Sequence, residues 1–259
     1  MIRENIYFIL LGIKSEEKKL YTEAFKELNE VNKETSEIID KDIKRSLFDV
    51  YPDKDTLTLK QQTLKQLLTS FYATNRDLSY YQGLNDVSGF LMYYFDAITA
   101  LAIFSGVEKN ILRDFTSLKF DVSVVPLFGA ISEIIIKDRP IWEDSAGGLM
   151  FLIQYVSVSW NLTLFSHNMD KSDGNLLRVW DFLVSSTPNM ILFLICAIIL
   201  NEVTDITDPV DMESIQQVKN FKFTAVKIET YLKKAVNLYN SCSGDLKFCD
   251  QFNKKLHKT

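Results

Sequence analysis

A chain of 259 residues is long enough to bury a substantial core as one large domain or two small ones, and 47% hydrophobic against 24% charged residues is ordinary globular composition. The formal net charge of -5, with no block of like charges, argues against a nucleic-acid-binding surface. Three cysteines (Cys196, Cys242, Cys249) and two histidines (His167, His257) supply neither a disulfide framework nor a zinc spacing, and they fit reduced thiols in a cytosolic protein.

Nine glycines and five prolines are few for this length, so turns are few and long helices are favoured: the predicted fold is all-α. In chain order, an apolar segment from Ile2 stops near Gly12, and Ser15 is placed to cap a helix with Glu16 and Glu17 in its first turn. Leu20, Ala24, Leu28 and Val31 continue that helix at the right spacing. A second helix is predicted from about Glu37 to Val50, ended by Pro52, with Asp53 and Asp55 supplying the turn. Leu64, Leu67, Leu68 and Phe71 make the i, i+3, i+4, i+7 stripe of a helix over 57–72. After the loop Asn75–Ser79, a long apolar helix is expected from Gly83 towards Phe104, with Phe90, Tyr93 and Tyr94 in its core stripe. Further helices are expected at about 107–115, 122–137, 145–166, 174–186, 188–202, 211–219 and 224–240.

The most apolar run, Met190–Leu200, is short of the roughly 20 residues that cross a bilayer, and Gly147–Phe165 is interrupted by Gln154, Asn161 and several hydroxyls. Both read as buried helices of a soluble chain. Lys233, Lys234, Lys247, Lys254, Lys255 and Lys258 are scattered among polar residues and read as a solvated face. With no Pro/Gly/Ser-rich linker and no repeat, the expected organisation is one domain over 1–240, in two lobes, followed by a polar tail over 241–259.

Two motifs stand out. Ile39, Asp42 and Arg45 form I-x-x-D-x-x-R, which on a helix lets the carboxylate orient the guanidinium while Ile39 anchors the other end. Taken alone, this also describes a surface ion pair. Tyr80, Gln82 and Gly83 form Y-x-Q-G where a loop meets a helix, with Tyr80 placed to support Gln82 and Gly83 leaving room for close backbone approach. Taken alone, this also describes a helix start beside a buried tyrosine.

Their order and separation resemble the TBC family of Rab GTPase activators. The resemblance continues in Arg3, Tyr7, Leu10, Leu11 and Gly12 (tyrosine replacing the family's tryptophan), in Trp160, Leu162, Leu164 and Phe165, and in Arg178, Val179, Trp180 and Asp181. It implies a protein that inserts Arg45 and Gln82 into a GTP-loaded Rab, with Ile39, Asp42, Tyr80 and Gly83 supporting them. It also implies no cofactor and no turnover site of its own, because the Rab binds the magnesium and GTP. Trp180, Asp181 and His167 read as structural, His167 as packed or capping. Leu78–Gly83 with Asp86, Leu112–Phe115 and Phe165–His167 resemble the endoplasmic-reticulum-anchored members, which act on the Rab of early secretory traffic at the cytosolic face of endoplasmic reticulum or Golgi membranes. Those members carry a C-terminal transmembrane helix that is not in this sequence: either it would follow Thr259, or this member has lost it. The rival expectation is an inactive Rab-binding scaffold of the same fold.

Overall fold

Side-chain oxygens and two glycines set most of the helix ends of the N-terminal half. In the computed structural model, which describes residues 2–27, 30–117, 120–144, 146–167, 169–203, 215–216, 218 and 220–242, α1 (Ile2–Leu10) closes as a Schellman motif. Ile13 N–H donates to Phe8 O and Gly12 N–H to Ile9 O, with Gly12 at φ +66° supplying the left-handed residue. α2 (Ser15–Lys26) is capped one residue earlier than expected, because Glu17 reaches back to the Lys14 backbone N–H at 2.8 Å. It also stops short of Val31: its last carbonyls, Ala24 and Phe25, accept from Ser70 and Gln66 of α4 (Lys54–Thr74). Tyr21 and Ala24 are its buried residues, whereas Leu20 is half exposed.

α3 (Lys33–Ile43) starts four residues before the predicted Glu37, because the Asn32 side chain accepts from Thr35 N–H. Asp53 caps α4 in the same way through Thr56 N–H. The predicted long helix from Gly83 to Phe104 is two, α5 (Leu84–Tyr94) and α6 (Ala97–Val107), because Asp96 accepts from Ile98 and Thr99 N–H, each at 3.1 Å, and restarts the chain. Of the expected aromatic stripe on α5 only Phe90 is fully buried, and Tyr93 is exposed. A π-helical turn (Glu108–Leu112) leads into α7 (Arg113–Ser117).

The described chain divides into two compact units. The first, Met1–Leu118 with Leu162–Leu177, holds α1–α7, the end of α9 (Ala146–Thr163) and the start of α10 (Gly174–Val184). In its core Phe71 meets Phe104 and Tyr72 edge-on, and α4, α5 and α6 pack on one another. The second, Lys119–Asn161 with Arg178–Thr259, is centred on α11 (Met190–Glu202), where every residue from Met190 to Leu200 is buried, as a helix apolar on all sides must be. α11 packs against α8 (Phe120–Asp138) and α12 (Ile228–Cys242). The free thiol of Cys196 lies 3.7 Å from Ile131 O, and Cys242 is also free and buried. Trp180 is fully buried; Lys234, expected as solvated, pairs with Asp138 at 2.6 Å. α9 is less buried than expected, with Phe151 and Tyr155 exposed. No strand occurs among the described residues, and no helix there is long and apolar enough to cross a membrane. Most of the expected 211–219 helix, and the tail beyond Cys242 with Cys249 and the last lysines, lie outside the described residues.

Candidate functional site

α3 buries Ile39, Asp42 and Ile43 on one face. The helix ends at Ile43 rather than Val50, so Arg45 sits in the tight turn beyond it, its N–H donating to Asp42 O. Beyond that turn Leu47 is held at φ +67°, a left-handed conformation that costs an L-residue roughly 1–2 kcal/mol. The side chain is buried, and a Cβ built on Gly89 of α5 would lie 2.9 Å from Leu47 Cδ2, so a larger residue there would force Leu47 to shift. The Asp42 side chain is 2% exposed and the Arg45 side chain 55%. Arg45 Nη2 donates to Asp42 Oδ1, so a buried carboxylate grips a guanidinium that projects to the surface.

The other oxygen of Asp42 accepts from the Tyr80 hydroxyl at 2.7 Å. Burial, then the neighbouring Asp42 charge, pushes the Tyr80 phenol far up, so it stays a donor. Tyr80 thus braces Asp42 from two residues before Gln82. Its neighbour Tyr81 donates to Leu162 O at 2.8 Å, and Ser79 N–H donates to Thr116 O at 2.8 Å. Thr116 in turn donates at 2.6 Å to Glu108, whose carboxyl burial pushes above its ordinary value. Gln82 is exposed between these anchored residues and Gly83. Gly83 caps α5 at φ +111°, and a Cβ there would come 2.8 Å from Thr163 Cγ2.

A shared polar network joins the two segments. Gly83 N–H donates to Asn85 Oδ1 at 3.1 Å, Asn85 Nδ2 to Ser46 Oγ at 3.0 Å, and Ser46 Oγ to Asp42 O at 2.7 Å. Ile39, Asp42, Tyr80 and Gly83 are thus buried beneath, while Arg45 and Gln82 stand exposed on segments wired to one another.

Sequence reasoning missed a second layer. Asp86, in the first turn of α5, bonds His167 Nδ1 at 2.6 Å through one oxygen and pairs with Lys171 Nζ at 3.2 Å through the other. Burial opposes ionisation of Asp86, but the His167 hydrogen bond and the Lys171 and His167 charges outweigh it and hold the carboxyl below its ordinary value. With Asp86 ionised, His167 Nδ1 is the donor; that bond raises the imidazole against burial and against the nearby charges of Lys171 and Arg45. The His167 side chain is 58% exposed and pairs with Asp86 rather than packing in the core. Among the described residues the non-glycine positive-φ positions are Leu47, Leu164 and Phe165, and all flank this site. Strain of this kind is held where packing over-determines it, as at functional sites. His167 and Asp86 are 81 positions apart, and no local pattern marks their pairing.

A family model described as the Rab-GTPase-TBC domain matches residues 1–207. The GTPase-activating protein gyp10 of Schizosaccharomyces pombe is 28% identical over 173 residues, which is 64% of this chain and 44% of that protein. The chain therefore spans less than half the length of the curated relative it matches. The crystal structure of the Chlamydomonas flagellar RabGAP TBC domain aligns with a TM-score of 0.69 at 16% identity, over 91% of this chain and 80% of that one. At that identity the likeness speaks for the fold alone.

Proposed function

The chain belongs to the Rab-GTPase-TBC domain family, and on that premise we propose that it stimulates GTP hydrolysis by a Rab, supplying Arg45 as an arginine finger and Gln82 as a glutamine finger. The guanidinium meets the charge that develops on the transferring phosphoryl group, and the amide holds the attacking water in line. The observation that carries this reading is the sharing of one buried carboxylate: Asp42 grips Arg45 with one oxygen and takes the Tyr80 hydroxyl, two residues before Gln82, on the other. Such a link keeps two exposed side chains in fixed register, as preorganised catalysis demands. Magnesium and nucleotide belong to the Rab in this reading, and the protein activates an enzyme without turning over a substrate itself.

The partner class is a Rab of the endoplasmic-reticulum-to-Golgi step, met at the cytosolic face of those membranes. Its support is the likeness of the segments around Gln82, Arg113 and His167 to the anchored subgroup. Single-turnover GTP hydrolysis across a panel of Rabs tests both levels. Stimulation of early secretory Rabs is expected. Stimulation confined to endosomal Rabs would overturn the partner assignment, and binding without stimulation of any Rab would leave a scaffold in place of an activator.

A further inference from the structure

Lys171 is among the most enclosed cations of the first unit, its side chain 4% exposed. It reaches two carboxylates from a third stretch of chain: Asp49 at 3.4 Å and Asp86 at 3.2 Å. Asp49 lies four residues after Arg45, and Asp86 lies four residues after Gln82. We infer that Lys171 is a positioning residue for the two fingers: a clamp from outside both segments that sets the separation of Arg45 from Gln82. This rests on the proposed activity.

Three features carry it. First, a buried ionic group is poor value as mere scaffolding, because well-packed apolar residues are as stabilising or more so, whereas ion pairs impose geometry. Second, the clamp acts on the outer end of each segment. The Asp42–Tyr80 and Ser46–Asn85 bonds tie the inner ends, and Leu47 seated on Gly89 ties the middle. Lys171 reaches past them to Asp49, whose turn is closed by Tyr51 N–H on Leu47 O. Third, Asp86 gives its remaining oxygen to His167, so it cannot swing to follow Asp49 if Lys171 is lost. Without the lysine the turn after Arg45 loses its tie to the start of α5 beyond the strained Leu47.

The experiment uses the full chain carrying Lys171→Met, Lys171→Arg or Asp49→Ala. Asp49 is half exposed, so its variant folds even if Lys171→Met does not. With the GTP-loaded Rab that the wild type stimulates most, Asp49→Ala and Lys171→Met should lower kcat by about 10–100-fold and change KM by less than about threefold, the pattern of misplaced rather than missing groups. Lys171→Arg, which keeps the charge, should recover most of the rate. Hydrogen exchange on the free protein reads the clamp without any GTPase: amides at 46–51 and at 83–87 should exchange faster together. A folded Asp49→Ala protein with wild-type kcat overturns the inference, as does faster exchange in only one segment. A wild type that stimulates no Rab removes the catalytic half of the inference along with the proposed activity, while the exchange data still decide whether the clamp exists.

Discussion

Around α11 the second unit buries Met190 to Leu200 without a break and without a charge, whereas around α5 the first unit buries Asp42, Asn85, Asp86 and Lys171 beside Phe90 and Leu91. Dispersion and the hydrophobic effect are nearly indifferent to direction, so the α11 core stabilises the fold while tolerating small shifts. Hydrogen bonds and ion pairs are directional and costly when unmade, so the α5 interior holds particular atoms in particular places. The contrast separates stability from geometry, and the two regions should therefore fail in different ways.

The largest effect belongs to the arginine. Removing an arginine finger supplied in trans costs about 10³–10⁵ in rate, or roughly 4–7 kcal/mol at about 1.36 kcal/mol per decade. Arg45→Ala also strips a cation from a buried carboxylate, so it should lower the melting temperature as well as the rate. Arg45→Lys separates the two: the charge stays near Asp42, but an ammonium cannot reproduce the planar fork. We expect near-native melting with most stimulation lost, measured by calorimetry and single-turnover hydrolysis. Full stimulation by folded Arg45→Lys would place the chemistry elsewhere.

Next in size is the apolar core. Ile195→Ala on α11 should cost about 2–5 kcal/mol of stability, read by urea unfolding. Stimulation per folded molecule should stay close to wild type, because no directional contact is lost. A fall in kcat at temperatures where the variant is fully folded would dissolve the contrast between the two regions.

The smallest effect is the response of the His167–Asp86 pair to pH. His167 is raised from its ordinary 6.5, so its contribution is complete below that value and is lost as pH rises through the higher folded value. Asp86 is lowered from 3.8, so its contribution is present above that value and is lost as pH falls through the lower folded one. The pair thus contributes most between those two ordinary values. The melting-temperature gap between wild type and His167→Gln should be widest there and narrow as pH rises through the raised folded value, modestly in all, since the imidazole is more than half exposed and screened. A gap that does not vary with pH would mean that His167 contributes by packing.

Several of these features were legible before any coordinates. Gly12 ends α1, Pro52 and Asp53 mark the turn before α4, and the scarcity of turn-formers points to an all-helical chain, because such signals act over one turn of backbone. The capping of α6 by Asp96 was equally local but lay hidden in a continuous apolar run, and the α5–α6 break was missed for that reason. The arginine and glutamine motifs were visible as spacing, and so was the pairing of Asp42 with Arg45.

Other features depend on partners far away in the chain. Leu47, in a left-handed conformation just beyond Arg45, packs its side chain against Gly89, 42 positions later by the numbering. Tyr80 reaches Asp42 because burial brings that carboxylate, 38 positions away, to its hydroxyl. Among the described residues Lys171 pairs with Asp49 and Asp86, from 122 and 85 positions away. Local backbone preferences are written over three or four residues and can be read there. Desolvation and long-range pairing arise only when the chain closes on itself, and they determine how the two exposed side chains are held.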